Sequence, residues 1–195
     1  MPRRTRAESQ ARTRELLLAT ARELFLRDGY HATSLEKVAD TAGFSKGAVY
    51  SNFRTKDELC EEVIAQVRGE HVQAVAALFG AGGELAESLK AFDVWAENTI
   101  GDPGWTLLEA EFAIHAARRA PDVRERVAQG AREAAGVLTA LLRAELDRAP
   151  RELPLPVEEL AEAILALGIG LGLRRAVDPE LSSRPLGDLI RLLLD

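Results

Sequence analysis

Residues 43–59, GFSKGAVYSNFRTKDEL, leave this chain fewer alternatives than any other stretch. Leu35, Val38, Ala39 and Ala42 recur at helical spacing before it, and Gly43 then permits a tight turn. Ser45 is a residue type that caps helix N-termini, so a short helix is expected over residues 45–53. Thr55 and Glu58 have the spacing of a capping box and open a further helix. A short helix between a tight turn and a capped successor is the pattern of a helix-turn-helix.

The rest of the chain also reads as helix, with no period-2 alternation long enough for a strand. A first helix over residues 9–28 carries Leu17, Ala21, Leu24 and Phe25 as one stripe, with Gly29 as its C-terminal cap. Thr33 and Glu36 have capping-box spacing at the start of a second helix, residues 34–42. A long fourth helix, residues 56–79, is lined by Leu59, Val63, Val67 and Val75. Glycines at 80–83 break the chain, and helices follow over residues 84–100, 105–119, 121–148, 157–177 and 186–194. The expected architecture is all-α with about nine helices. A three-helix helix-turn-helix head is fused through the long fourth helix to a helical ligand-binding and dimerisation body. The boundaries are a flexible basic arm at 1–10, the head at 11–71 and the body at 72–195.

Charge divides in the same place. Residues 1–56 hold 11 Lys+Arg and 6 Asp+Glu, whereas residues 57–195 hold 14 and 25. A basic head on an acidic body suits a chain of which only the head meets a polyanion. Hydrophobic residues make up 47% of the sequence, enough for a packed core rather than disorder. No run approaches the ~18 apolar residues of a membrane span, and no apolar segment follows the first arginines as a secretory signal would require. Cys60 is the single cysteine, which excludes an intrachain disulfide and fits a cytoplasmic protein. The three histidines are too scattered for a metal motif, and no cofactor is expected. With no nucleophile–base pair and no paired catalytic acids, an enzyme is not expected.

On the third helix, Val49 and Phe53 point inward. Gly47, Ala48 and Ser51 lie opposite, with Tyr50 and Asn52 at the flanks. A small, polar outer face lets a helix approach base edges in the major groove. Lys46 and Lys56 each occupy the first turn of a helix, where the dipole favours acids. Phosphate oxygens would remove that conflict, although solvated surface lysines are an equal reading.

The segments LFLRDGYHATS, LEKVADTAG and FSKGAVYSNFRTKDEL stand in order without gaps. They resemble the DNA-binding domain of the TetR (tetracycline-repressor-like) family of bacterial regulators over about residues 13–63. The resemblance implies that Thr33 and Ser34 meet a phosphate at the start of helix two. It implies that Ser45, Lys46, Gly47, Tyr50, Ser51 and Asn52 form the contact surface, and that Lys56 clamps a phosphate. Ser51 and Asn52 stand where many family members carry a histidine or an aromatic pair, so the operator sequence does not carry over. Arg3, Arg4, Arg6, Arg12 and Arg14 form a basic arm that either adds DNA contacts or is a solvated tail.

One short helix reads too few bases alone, and helix-turn-helix proteins dimerise over half-sites roughly 34–36 Å apart. Glycine costs about 1 kcal/mol in a helix interior, so Gly168 and Gly172 of LALGIGLGL need a reason. A dimer interface built from Gly168, Gly172, Leu186, Ile190 and Leu193 is one; packing inside the subunit is the other. Phe92, Trp95, Trp105, Leu108, Phe112 and His115 are spaced to face a common interior. They are candidates for a pocket holding a small apolar or amphipathic effector, or simply for core. The function expected is a ligand-responsive repressor acting as a homodimer on a double-stranded DNA operator. The alternatives are an activator or ligand-independent regulator of the same fold and, more remotely, a helical enzyme using the aromatic pocket or a protein-binding module.

Overall fold

The computed structural model describes residues 6–80, 83–119 and 121–194. Among them are nine α-helices and no strand: α1 (Arg6–Asp28), α2 (Leu35–Ala42), α3 (Lys46–Asn52), α4 (Lys56–Gly80), α5 (Leu85–Thr99), α6 (Pro103–Arg119), α7 (Pro121–Arg148), α8 (Val157–Val177) and α9 (Arg184–Leu194). The all-α expectation holds. Helix α1 begins at Arg6, so residues 6–10, expected as part of a flexible arm, belong to it. Arg3 and Arg4 lie outside the described residues. None of the described helices is long and apolar enough to cross a membrane.

Two compact units divide the chain. The first takes the described part of Met1–Val67 together with Leu107–Arg124. Its core is the apolar stripe of each helix: Leu17, Ala21, Leu24 and Phe25 of α1, Val38 and Ala39 of α2, and Val49 of α3 with Phe53 beyond it. Leu59, Cys60 and Val63 of α4 and Leu108 and Phe112 of α6 complete the set; all are almost fully buried. The head is thus larger than a three-helix motif, because part of α6 belongs to it.

A polar network shows why. Tyr30, in the α1–α2 turn, is 3% exposed, and every polar group it carries is engaged. Its amide donates to Glu111 Oε2 at 2.8 Å, and its carbonyl accepts from Lys56 Nζ at 2.9 Å. Its hydroxyl donates to Asp57, and His115 Nε2 lies 3.0 Å from the same oxygen and 3.3 Å from Asp57 Oδ1. A phenol has one proton, so with that proton directed at the carboxylate the imidazole N–H must be the donor to the phenol oxygen. The Tyr30 ring meets Phe112 edge-on at 5.3 Å and carries the Lys56 ammonium 3.9 Å from its centroid. Burial, then the Asp57 carboxylate, push the Tyr30 phenol far above its ordinary value.

The second unit comprises Arg68–Thr106 and the described part of Glu125–Asp195. Leu89, Phe92 and Ala96 of α5, Leu142 of α7, Leu160, Ala161, Ile164 and Leu171 of α8, and Leu186, Ile190 and Leu194 of α9 form one buried cluster. Two charged clamps fasten its edges. Arg191 of α9 pairs with Asp93 of α5, and Gly187 lets the helices close there: a Cβ at that glycine would stand 2.0 Å from Asp93 Oδ1. Glu97 accepts from the Ser183 amide at 3.1 Å and its hydroxyl at 2.6 Å, and lies 3.0 Å from Arg175 Nη1. Gly101 has φ +90 and packs on Arg175.

Gly168 and Gly172 are explained inside this unit. Gly172 is buried against Ile100, Gly101 and Thr106, and Gly168 faces Leu186. Leu186 and Ile190 are 3% and 6% exposed. Gly172, Leu186 and Ile190, named as interface candidates, are thus buried within their own unit, while Gly168 and Leu193 are partly buried beside them.

Tyr30→Phe keeps the ring and removes the hydroxyl that donates to Asp57 and faces His115, leaving that carboxylate with His115. It should lower stability by about 1–3 kcal/mol in urea unfolding at neutral pH. The raised phenol pKa means that the folded head retains the proton longer than the unfolded chain. The corresponding stability is complete below the ordinary tyrosine value of 10.0 and is lost as pH rises beyond it. The wild type should lose stability above that pH, and Tyr30→Phe should lack this component.

Candidate nucleic-acid interface

The turn between α2 and α3 is set by Gly43, whose φ of 73 lies in the left-handed region and whose N–H bonds to the Ala39 and Asp40 carbonyls. Ser45 then caps α3, its hydroxyl accepting from the Ala48 amide at 3.2 Å. Val49 and Phe53 are fully buried, which fixes the helix by one face. Behind it, Arg14 pairs with Glu62 and lies 4.7 Å from the Phe53 ring centroid, so α1 braces the end of α3. Arg14, expected in a DNA-contacting arm, is committed to this brace, while Arg12 is exposed.

The opposite face of α3 is open. Lys46, Gly47, Tyr50 and Ser51 are exposed, and Ala48 and Asn52 partly so. A Cβ at Gly47 would meet only the Ser45 hydroxyl, at 3.8 Å. Internal packing therefore does not require glycine there, although glycine costs about 1 kcal/mol within a helix. What it provides is room for an approaching surface. Ser51 and Asn52 turn donors back onto the helix: Ser51 Oγ to the Ala48 carbonyl at 2.9 Å and Asn52 Nδ2 to the same oxygen at 2.8 Å. Gln10, Ala11, Arg14, Ser51 and Asn52 line a groove beside the C-terminal end of α3.

Two expected phosphate contacts are corrected. Thr33 is 1% exposed, and its hydroxyl donates to the Gly29 carbonyl at 3.0 Å and the Leu24 carbonyl at 3.3 Å. It ties off the end of α1 and faces no solvent. The cap of α2 is Ser34, which is exposed and accepts from the Lys37 amide at 3.1 Å. The spacing of Thr33 and Glu36 suggested a capping box one residue out of place. Lys56 is the second correction. Its ammonium is bound by the Tyr30 carbonyl and ring, and desolvation lowers its pKa. The helix-dipole conflict at Lys56 is answered inside the head, whereas Lys46 remains exposed.

The aromatic residues expected around one interior fall in different units. Leu108, Phe112 and His115 belong to the first, with Phe112 and His115 against Tyr30. Phe92, Trp95 and Trp105 belong to the second. There His71, too isolated in sequence for a metal motif, stands edge-on to both tryptophans, at 6.1 Å from Trp95 and 5.3 Å from Trp105. The spacing of Phe92 and Trp95 to His71 is not local, so no sequence pattern could have joined them. Cys60 is fully buried, and desolvation drives its thiol well above the ordinary range, away from thiolate chemistry.

Comparison with known proteins agrees with this geometry. Residues 17–63 match the family described as "Bacterial regulatory proteins, tetR family". The chain is 38% identical over 66 residues to the HTH-type transcriptional repressor BepR of Brucella suis biovar 1 (strain 1330), covering 34% of this chain and 31% of that protein. It is 40% identical over 63 residues to the HTH-type transcriptional regulator AcrR of Shigella flexneri, covering 32% and 29%. The sequence likeness thus spans less than a third of those relatives' length. The fold likeness is wider. A putative TetR-family regulator from Rhodococcus sp. superposes with TM-score 0.77 at 17% identity over 95% of this chain and 100% of that one. The reduced form of E. coli NemR gives 0.73 at 22% identity over 93% and 95%. The turn, the cap and the open α3 face all lie in the matched segment, so residues 17–63 are similar to the tetR family of bacterial regulatory proteins, and the whole chain shares the fold of solved TetR-family regulators.

Proposed function

We propose that this protein is a sequence-specific, ligand-responsive transcriptional repressor that binds a pseudo-palindromic DNA operator as a homodimer. The observation that carries the DNA reading is the open face of α3, with Gly47 outward for no internal reason and Lys46 exposed at the helix start. The names of BepR and AcrR, a repressor and a regulator, support the same class of activity.

A second copy is supported by α8. Opposite its buried side, Ala163, Ala166, Ile169, Gly170, Leu173 and Val177 form an exposed apolar stripe, with Val177 83% exposed. Leu192 of α9 adds another exposed apolar side chain. A Cβ at Gly170 would touch nothing within 4 Å, so this glycine has no packing role in the single subunit. Paired α8–α9 faces would bury the stripe in an isologous interface. The effector site is best sought in the second unit, where His71, Trp95 and Trp105 are partly exposed. Helix α4 is unbroken from Lys56 to Gly80 and contributes residues to both units, so it is the element through which an effector would act on the head.

Four outcomes are expected. Lys46→Ala should weaken binding to every duplex and make the salt dependence shallower by about one phosphate contact. Lys56→Ala should leave that slope unchanged and lower stability instead. Anisotropy titrations across salt concentrations check both, and an equal change in slope for the two variants would restore Lys56 as a phosphate ligand. Leu173→Glu should yield folded monomer in sedimentation and weaken operator binding more than about tenfold; a dimer that persists would move the interface elsewhere. Trp95 and Trp105 are the only tryptophans, so effector binding should alter their fluorescence and, at saturation, reduce operator affinity. Binding without loss of affinity would remove the coupling.

A further inference from the structure

An acid stands within the surface that the DNA reading assigns to phosphate and base contacts. Glu36, in the first turn of α2, is partly exposed, and its Oε1 accepts the Tyr50 hydroxyl of α3 at 2.7 Å. The bond crosses from one helix of the motif to the other on its outer side. The Tyr50 hydroxyl does most to hold the Glu36 carboxyl below its usual range, followed by the backbone amide of Glu36 itself, with smaller help from the Lys46 charge and Ser34. Tyr50, a residue of the expected contact surface, is thereby bonded to a carboxylate.

Two consequences follow. Tyr50 is 48% exposed, yet its single proton is given to Glu36. It meets a duplex with its ring and without a free donor. The carboxylate, for its part, repels phosphate oxygens. Contacts to the phosphate backbone are alike for every sequence, so this repulsion opposes all complexes equally. Only a base edge that presents an amino donor, cytosine N4 or adenine N6, can offset it. A charge placed to weaken wrong complexes is an ordinary route to specificity.

We propose that Glu36 is a specificity-determining residue of the DNA face: it fixes Tyr50 against α2 and weakens binding that relies on the phosphate backbone alone. This rests on the DNA-binding reading above.

The test uses the full chain and two probes at one low ionic strength. One is a randomised duplex of about 30 base pairs, roughly three helical turns; the other is the sequence that the wild type recovers from that pool by repeated selection. Glu36→Gln retains an acceptor for Tyr50 and removes the charge. It should tighten binding to the randomised duplex about fivefold and to the selected sequence by less, so that the ratio falls. Glu36→Ala should also tighten binding to the randomised duplex and, by releasing Tyr50, weaken binding to the selected one. Tyr50→Phe should leave binding to the randomised duplex within about twofold, because the hydroxyl makes no phosphate contact. Circular dichroism should be unchanged for all three. The proposal is overturned if Glu36→Gln alters neither affinity or raises both equally. It is equally overturned if Tyr50→Phe weakens binding to the randomised duplex severalfold. A wild type that selects no sequence overturns the DNA reading as well, whereas selection by the wild type with a silent Glu36→Gln overturns this proposal alone.

Discussion

The head depends on Tyr30. It is a turn residue, placed where the chain leaves α1, and a turn has no ladder of its own to hold it. Here its amide, carbonyl, hydroxyl and ring are each taken by a different side chain, from α4 and α6. Buried polar groups are costly unless satisfied, so a network in which all are satisfied specifies one arrangement and penalises its neighbours. The α1–α2 turn, the start of α4 and the middle of α6 are thereby held in one register. The position of α2, and through Gly43 that of α3, follows from it.

Upon that base the outer face of α3 is sparse by construction. Val49 and Phe53 use the inward side for packing, and Arg14 spans from α1 to Glu62 across the Phe53 ring. What remains outside is a glycine, an alanine, two side chains bonded to their own helix, one tyrosine bound to an acid, and Lys46. Such a surface has little conformational entropy left to lose, which favours a preorganised contact over an adaptable one. It is also too small to discriminate strongly by itself, which is why the apolar stripe of α8 matters to the same functional reading.

In the second unit the same economy appears in α8. One face meets α9, α5 and the Gly101 turn, where Gly172 and Gly187 allow close approach and Arg191 and Arg175 fasten the edges to acids of α5. The other face is left apolar and exposed.

Local signals in the sequence were enough for the helices. Periodicity, the Gly43 break and the Ser45 cap located α2 and α3 to within a residue, because each is decided by neighbours three or four positions away. The inward pair Val49 and Phe53 and the outward Lys46, Gly47, Tyr50 and Ser51 were legible for the same reason. Tertiary structure alone decided which polar groups were spent on the fold. Thr33 looked like a cap and is a buried strut; Lys56 looked like a phosphate clamp and is a ligand of Tyr30. Gly172, a candidate for either an interface or internal packing, is buried inside its own unit. In each case the partner is remote in the chain or the neighbouring turn competes for the same role, and a pattern that reads only spacing carries no information about which contact wins. A residue's chemistry is written in the sequence; whether that chemistry is still available at the surface depends on what the folded chain has already placed against it.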